Sequence, residues 1–466
     1  MSKHKKLVLI SSLLLSVSSL SSYQLMAADS YDIVEIGNLG SYPSYVYGVN
    51  DNGVAVGHSA GPIVDKLDAD GNVVLDSDGN PLKVKDFGSH AFSFQNGVTT
   101  DLGAVDNGFI GPDESEAYAI NNNGVAAGYT IKQFSRVKPD DGSTFNVNLK
   151  QAALFDTNTL TFTLLPNIDP LQDKERDIRA LSLNDNNVVV GYGFHDLPND
   201  TNEDGSENTT VYERGFIYNP TTNTIDLVQP LTTADQMLTS LRDINNNGIA
   251  TGWSHKMDGK QKLISAIYVD ITTPDVVNEL TLFTNSHAYP WAINDSGKIV
   301  GKAVDASKKY FTAFVYDINT QEATDIGVLN PISPSSEAFD INNKDQIVGL
   351  SSYRSYPATQ HAFIYENGVM TDLNDLIDCK VDPTLPATGS PDWELHAAYG
   401  ISDTGIIVGI GVLDGLVKPF MLTPRDVGVK PILCQNDKEE SGGGSFPVSL
   451  LILLTMFPLA RRNYTK

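Results

Sequence analysis

The sequence is poor in cysteine and in basic residues: it has two Cys, and 32 Lys and Arg against 57 Asp and Glu. The formal net charge of −25 disfavours nucleic acid and anionic lipid as partners. P-loop, GxGxxG and HExxH motifs are absent, and no pattern of a partner helix or coiled coil is present. The sequence therefore predicts no nucleotide cofactor and no zinc-peptidase site.

The first 28 residues have the layout of a secretory signal peptide. Three lysines precede an apolar run over residues 7–20, and LMAA stands before Asp29. Export places the remaining chain in an oxidising compartment, where two cysteines favour a single disulfide bond. We therefore predict a disulfide between Cys379 and Cys434 rather than a metal site or a catalytic thiol.

Residues 438–466 form a linker followed by a tripartite ending. Gly442, Gly443 and Gly444 precede the apolar stretch FPVSLLILLTMFPLA, which Arg461 and Arg462 follow. This stretch is slightly short for a stable membrane span. The ending resembles the GlyGly-CTERM sorting signal of Gram-negative bacteria. The resemblance implies transient membrane insertion, cleavage near the glycines by a rhomboid-like sorting protease, and type II secretion to the cell surface. The alternative is a simple membrane anchor.

Seven copies of one pattern organise residues 29–437. YAINNNGVAAG at 118–128 is typical, and related copies begin at 47, 181, 242, 291, 339 and 399. Each copy has, at one fixed position, a residue that tolerates positive φ. These residues are Gly53, Gly124, Asn187, Gly248, Gly297, Asp345 and Gly405. The pattern predicts a tight hairpin, a type I turn closed by a left-handed residue, between two strands.

Two further strand patterns follow the copies. One reads HAF at 90 and at 361, and the other reads TDLG at 100 and TDIG at 324. In these elements the chain resembles extracellular HAF-repeat proteins of an uncharacterised, domain-of-unknown-function family. The resemblance implies export, and it carries no activity that transfers to this chain. The histidines of the repeat are interpreted as structural.

Four strands in each of seven units are compatible with a β-propeller or an open solenoid. The last copy ends at MLTP without a TDLG-like strand, whereas YDIVEIGNLG at 31–40 supplies such a strand alone. Because the two incomplete ends complement each other, we predict an all-β fold. It is a seven-bladed β-propeller over residues 29–437, whose last blade is completed by the N-terminal strand.

Function is expected on the face that carries the longest loops. The connections after the repeat pattern take about 34, 24 and 24 residues in blades 1 to 3, against about ten to fourteen elsewhere. Five residues before the turn, the residue type varies from copy to copy and includes Glu116, Arg179 and Glu337. Two carboxylates from blades across the channel, with aromatic neighbours, suit the binding or hydrolysis of a sugar. The alternative is that these residues are solvated strand ends.

Calcium is the one cofactor that the sequence suggests. DTNEDG supplies Asp200, Asn202 and Asp204 in the spacing of the first half of an EF-hand-type loop. The twelfth position is Val211 instead of a bidentate Glu. The alternative is a solvated insert loop.

Two classes of function remain. The first, which we favour, is a non-catalytic surface or secreted protein that binds an extracellular polymer or protein through the long loops of blades 1 to 3. The second is an extracellular propeller hydrolase or lyase that acts on polysaccharide with Glu116, Arg179 and Glu337.

Overall fold

The computed structural model describes residues 28–432, except residues 69, 86–87, 107–112, 139–140, 169–175, 197–210, 234–236, 283–285, 305–309, 333, 356–357 and 380–392. The predicted signal peptide, apart from Ala28, and the predicted sorting segment lie outside the described residues. Within the described part of the chain, no helix is both long and apolar enough to cross a membrane.

Seven four-stranded antiparallel sheets form the blades of a propeller. Strand β1 (Tyr31–Glu35) is the outermost strand of blade 7. Blade 1 contains β2 (Ser44–Val49) and β3 (Ala55–Ala60), then an insert with β4 (Ile63–Asp65) and β5 (Lys83–Lys85), then β6 (Ser89–Gln95) and β7 (Val98–Asp101). Blade 2 contains β8 (Ser115–Ile120), β9 (Val125–Val137), β10 (Thr144–Asp156) and β11 (Thr161–Leu164). Blade 3 contains β12 (Ile178–Leu183), β13 (Val189–Asp196), β14 (Val211–Asn219) and β15 (Thr224–Val228).

The remaining blades repeat this order. Blade 4 contains β16 (Thr239–Ile244), β17 (Ile249–Asp258), β18 (Gln261–Asp270) and β19 (Val277–Glu279). Blade 5 contains β20 (Ala288–Ile293), β21 (Lys298–Val304), β22 (Phe311–Asp317) and β23 (Glu322–Gly327). Blade 6 contains β24 (Ser336–Ile341), β25 (Ile347–Ser355), β26 (Ala358–Glu366) and β27 (Val369–Asp372), which a 3-10 helix (Leu373–Leu376) follows. Blade 7 contains β28 (Trp393–Ile401), β29 (Ile407–Leu413) and β30 (Leu416–Pro424).

The blades close into a ring. The first strand of each blade contacts the first strand of the next, and β28 contacts β2. Strand β1 pairs antiparallel with β30, with Tyr31 opposite Pro424 and Glu35 opposite Phe420. Tyr31 is only 1% exposed, because it packs into the core of blades 6 and 7. The prediction of a seven-bladed propeller completed by the N-terminal strand is confirmed.

The segment after β30 is fastened beside this closure. Arg425 forms an ion pair with Asp378 at 2.6 Å. The N–H of Cys379 donates to the carbonyl of Ile432 at 2.7 Å. Cys379 is buried and disulfide-bonded. Its predicted partner, Cys434, lies outside the described residues.

The hairpin between the first two strands of each blade follows from local sequence. In blade 1 the N–H of Gly53 donates to the carbonyl of Asn50, and the N–H of Asn50 donates to the carbonyl of Val54. The residue at the position of Gly53 has φ between 58° and 87° in all seven blades. Glycine, asparagine and aspartate are the types that adopt this left-handed conformation most readily.

The glycine that ends each repeat is required by a close backbone approach. A β-bulge in the first strand brings a carbonyl toward the second strand in each blade. A Cβ at Gly128 would stand 1.8 Å from the carbonyl oxygen of Glu116, and one at Gly57 would stand 1.9 Å from that of Tyr45. Bulges re-aim the side chains beside them. The repeat glycine therefore allows the backbone geometry that orients Glu116 and its equivalents.

The core lies between neighbouring blades. The third strand of six blades carries a fully buried phenylalanine, namely Phe92, Phe155, Phe216, Phe314, Phe363 and Phe420. Phe216 packs against Ala127 and Ala152 of the preceding blade. Large side chains thus fill the space beside small ones. The burial of each phenylalanine contributes about 2–3 kcal/mol to the free energy of unfolding.

The histidines of the two HAF elements bond within their own blades. His90 Nδ1 lies 3.0 Å from Asp101, and His361 Nδ1 lies 2.6 Å from Asp372. Both aspartates belong to the TDL element of the fourth strand. The HAF and TDL patterns therefore join the third strand of a blade to the fourth.

Candidate functional site

One face of the propeller carries the turns between the first two strands, and we call it the ring face. There the side-chain amide of Asn50 donates to the carbonyl of Asn121 in the next blade at 3.0 Å. The same bond recurs from Asn121, Asn184, Asn245, Asn294 and Asn342, at 2.9 to 3.2 Å. In blade 7 the position is Ser402, whose hydroxyl bonds to Thr404 instead. The turn asparagines therefore also join the blades.

The next residue of each turn forms a second ring. Its members are Asp51, Asn122, Asp185, Asn246, Asp295, Asn343 and Asp403. Each Oδ1 accepts a backbone N–H from the neighbouring blade, and the bond from Asp403 N–H to Asp51 closes the circle at 2.7 Å. Asp and Asn alternate, but seven is an odd number. Two aspartates, Asp403 and Asp51, are consequently neighbours where the ring of blades closes.

A cavity of ≈ 210 Å³ lies inside these rings. Asp243, in its wall, accepts the Ser182 hydroxyl at 2.6 Å and the Ile293 N–H at 2.8 Å. Asp340 accepts the Ile401 N–H at 2.8 Å. Burial, with the charge of Asp243, raises the pKa of Asp340 to about 8, and burial also raises the pKa of Asp243. The described residues include no group of three or more metal-ligating side chains, and these cavity groups are bonded to the fold itself.

The opposite face carries the long connections, and we call it the insert face. Near it, the side chains three residues before each turn are half-buried in all seven blades. They are Tyr47, Tyr118, Leu181, Arg242, Trp291, Phe339 and Tyr399. Rings from adjacent blades meet, with centroid distances of 5.5 Å for Tyr47 and Tyr118 and 5.1 Å for Phe339 and Tyr399. A mainly aromatic layer therefore surrounds the axis beneath the insert face.

Glu116 bonds to this layer. The Tyr118 hydroxyl donates to its Oε2 at 2.7 Å, and His58 Nδ1 lies 3.9 Å from the same oxygen. The Lys150 ammonium donates to the Tyr129 hydroxyl at 2.8 Å. Burial raises the pKa of Tyr118 and of Tyr129, with the charge of Glu116 adding to it, and burial lowers the pKa of His58. The two tyrosines are therefore protonated hydrogen-bond donors near neutral pH.

Arg179 and Arg242 pack against a shared ring. Their guanidinium carbons lie 5.4 and 5.8 Å from the centroid of Tyr192. Arg179 is also 5.8 Å from the Tyr129 ring, and Arg242 is 5.1 Å from the Trp291 ring. The Nε of each arginine is buried without a hydrogen-bond partner. Burial lowers the pKa of Arg242, yet a guanidinium remains charged in proteins.

Glu337 stands on the other side of Trp291. Its Oε1 accepts from the indole Nε1 at 2.8 Å and lies 2.8 Å from Lys302 Nζ. The Tyr289 ring is nearly parallel to that of Trp291, at 14° and 6.5 Å between centroids. Glu337 is thus one aromatic side chain away from Arg242, as Glu116 is from Arg179. We call Glu116, Arg179, Tyr192, Arg242, Trp291 and Glu337 the axial cluster.

Two of the three predicted inserts are hairpins in the described chain. In blade 1, two tight turns lie between β4 and β5, and the bridges from Leu67 to Val73 and from Leu75 to Pro81 close them. In blade 2, β9 and β10 are 13 residues long each and pair along their whole length. The blade 3 insert with Asp200, Asn202 and Asp204 lies outside the described residues.

The pentapeptide GHSAG at 57–61 matches the GxSxG pattern of serine hydrolases. In those enzymes the serine stands on an exposed turn between a strand and a helix. Ser59 instead lies inside β3, is 0% exposed, and accepts the N–H of Leu39 at 2.9 Å. This serine is therefore a structural residue.

Sequence reasoning identified Glu116, Arg179 and Glu337 but missed Arg242 and Tyr192. A signal for Arg242 was present, because it is the only charged residue in a column that is otherwise aromatic or apolar. Tyr192 had no such signal. It lies opposite Arg179 in the β12 and β13 pair, so its place depends on strand register.

Comparisons with known proteins concern the fold and a family. The model of a family described as "Protein of unknown function (DUF3466)" matches residues 242–416. No curated protein matches the chain. The chain is similar to the β-propeller domain of the Trilobed protease from Pyrococcus furiosus, at 9% identity and a TM-score of 0.43, over 82% of this chain and 94% of that one.

Two further solved structures also match the chain. An oligogalacturonate lyase in complex with manganese matches at 13% identity and a TM-score of 0.41, over 86% of this chain and 99% of that one. TolB from Acinetobacter baumannii matches at 10% identity and a TM-score of 0.34, over 60% of this chain and 58% of that one. At these identities the likeness is one of fold alone.

Proposed function

We propose that this chain is an exported, non-catalytic binding protein that recognises an extracellular polymer or protein through its insert face. The proposal includes removal of the signal peptide and the GlyGly-CTERM route to the cell surface, on the sequence patterns given above. It treats the chain as a member of the HAF-repeat proteins. Calcium at Asp200 and neighbouring residues remains part of the proposal as a metal that stabilises an insert.

The difference between the two faces carries this proposal. On the ring face, asparagine and aspartate side chains bond to backbone groups of neighbouring blades, so they contribute to the fold. On the insert face, Arg179 and Arg242 have buried nitrogen atoms without partners. An unpaired buried polar group costs free energy. We propose that a ligand supplies the missing bonds of these two arginines.

The competing hydrolase or lyase hypothesis rests on Glu116. A catalytic acid or base needs a pKa near the working pH and a proton relay within hydrogen-bond distance. Glu116 bonds to a tyrosine and lies near His58, which is the arrangement that favours this second hypothesis. Glu337 accepts the Trp291 indole N–H and lies 2.8 Å from the Lys302 ammonium.

The test removes inserts from the purified protein. In one variant Asn-Gly replaces residues 63–85, and in a second it replaces residues 133–148. We expect each variant to lose retention on an immobilised panel of extracellular polysaccharides and proteins, with an unchanged thermal midpoint, because the removed hairpins lie outside the core clusters. Thr222→Ala, on an exposed ring-face turn, is the matched control and should bind like the native chain.

Soluble products are measured in the same incubations. Product release that disappears in Glu116→Gln, with an unchanged thermal midpoint, would establish the catalytic hypothesis and end the non-catalytic one. Retention that survives both insert replacements would place the binding surface elsewhere. Loss of retention in EDTA alone would assign a role to calcium.

A further inference from the structure

The axial cluster combines two features. It holds two arginines whose Nε atoms are buried without a hydrogen-bond partner, in a chain whose net charge is −25. It also presents the faces of Tyr192 and Trp291 beside them. We propose that the axial cluster is the binding subsite for a uronic-acid unit of an oligosaccharide. This inference rests on the proposed function and names its ligand class.

The two arginines indicate that the ligand carries a carboxylate. A guanidinium presents a planar fork of donors that matches a carboxylate in a bidentate pair. Glu213 interacts electrostatically with both arginines, but it forms no ion pair with either within the described residues. Burial raises the pKa of Glu213. A ligand carboxylate would give the arginines the bidentate pair that no acid of the described residues forms with them.

The carboxylates on either side favour a sugar over a simple anion. Glu116 and Glu337 each have one oxygen engaged by a donor of the aromatic layer. An ionised carboxylate has about four acceptor sites, so further donors are needed to satisfy each group. Sugar hydroxyls provide such donors, whereas a fully ionised phosphate or sulfate does not.

The acidic surface limits the length of the ligand. A long polymer with a charge on every sugar meets more of the negative protein surface than a short oligomer whose terminal carboxylate lies at the arginines, so the repulsion grows with the length of the ligand. Nucleic acid is disfavoured for the same reason. An acidic peptide brings carboxylates but few hydroxyl donors for Glu116 and Glu337. The structure therefore favours the end of a uronic-acid oligosaccharide.

The experiment uses isothermal calorimetry with short oligomers of glucuronate, mannuronate and galacturonate. Each is paired with its carboxyl-reduced counterpart, which keeps the ring and loses the charge. We expect at least one of the three to bind the native protein, and its reduced form to bind about ten- to a hundredfold more weakly. Trp291 lies in the cluster, so binding should also change the indole fluorescence.

Variants locate the subsite. Arg242→Gln should weaken uronate binding about ten- to a hundredfold, and Arg242→Lys should restore only part of it, because the ammonium lacks the fork. The thermal midpoint should stay equal or rise, since the substitution removes a buried unpaired charge. Lys298→Gln removes one positive charge on the ring face and should leave uronate binding unchanged.

Three outcomes would overturn the inference. They are the absence of binding by all three uronate oligomers, equal binding of inorganic phosphate or an acidic peptide, and uronate binding that Arg242→Gln and Arg179→Gln leave intact. If the insert replacements abolish retention of a polymer while the arginine variants do not, the proposed function stands and this inference fails. The two ideas are thus separated by different variants.

Discussion

The two faces of the propeller lie at opposite ends of the same seven first strands, yet their residue types follow different patterns. On the ring face nearly every blade has the same residue types, and their side chains bond across blade boundaries. On the insert face the equivalent strand positions hold Tyr45, Glu116, Arg179, Ser240, Tyr289, Glu337 and Ala397. Uniformity therefore accompanies a contribution to stability, and variety accompanies the face on which we propose that a ligand binds.

The largest expected effect is a loss of stability when a buried asparagine of the ring face is removed. Asn245 is 4% exposed, donates to the Asn294 carbonyl, and accepts the N–H groups of Asn247 and Ile249. Asn245→Ala should lower the free energy of unfolding by about 3 kcal/mol, at about 1 kcal/mol for each lost bond. Denaturant titration measures the change. Binding on the insert face should persist in the folded fraction.

Asn247→Ala is the matched control, because Asn247 lies on the same turn and is exposed. It should cost less than about 1 kcal/mol. Asn247 itself donates to the Asp295 carbonyl of the next blade at 2.7 Å, so equal losses for the two variants would show that the burial of Asn245 and its two bonds within the turn add nothing beyond one bond between blades.

The cavity inside the rings gives a smaller effect that depends on pH. Asp340 has a pKa of about 8 in the folded chain, above the value of about 4 for an unfolded aspartate. The folded state therefore favours the protonated form. The stability from this group is complete below pH 4 and is lost as the pH rises toward 8.

In Asp340→Asn the side chain does not ionise. The stability of the native chain relative to this variant should therefore fall between pH 5 and pH 8.5, which denaturant titrations at several pH values measure. In Asp243→Asn the loss of stability should be smaller and should end at a lower pH, because the charge of Asp243 helps to raise the pKa of Asp340. Parallel pH profiles for the native chain and Asp340→Asn would contradict the assignment.

The smallest expected effect is a gain of stability when the ring of asparagine bonds between blades is completed. Ser402 stands where six blades have an asparagine, and no bond reaches from it to the Asn50 carbonyl in the described structure. Ser402→Asn should supply the seventh link and raise the free energy of unfolding by about 1 kcal/mol. Ser402→Ala serves as the control and should lower it. A denaturation midpoint for Ser402→Asn at or below the native value would show that the ring gains nothing from closure.

Local rules explain which parts were predictable. The turn type follows from residues that tolerate positive φ, and the closing strand follows from the unmatched YDIVE element, because both signals lie within a few residues of chain. The bonds from Asn50 to Asn121 depend on how two blades are placed, so the asparagines were interpreted as turn residues alone. No local sequence signal distinguishes Asp243 and Asp340 from the other residues of their strands. Their role depends on the cavity that seven blades enclose.

The site was predictable only where a column of the repeat varied. That variation identified Glu116, Arg179 and Glu337 as candidates, and the structure places them near one axis. It did not show that Arg179 and Arg242 share Tyr192, since this contact joins three strands from two blades. The pairing of charges with aromatic rings is a product of register and blade packing, which composition does not encode.

The pairing of β1 with β30 has a consequence for the order of folding. The strand made before all seven blades is the one whose hydrogen bonds form with the last of them, across nearly 400 residues at Tyr31 and Pro424. Contacts so distant in sequence slow the search for the native state. Until β30 is complete, blade 7 has an open edge that offers unpaired backbone groups to other chains. The chain therefore reaches its aggregation-resistant form in one late step rather than blade by blade.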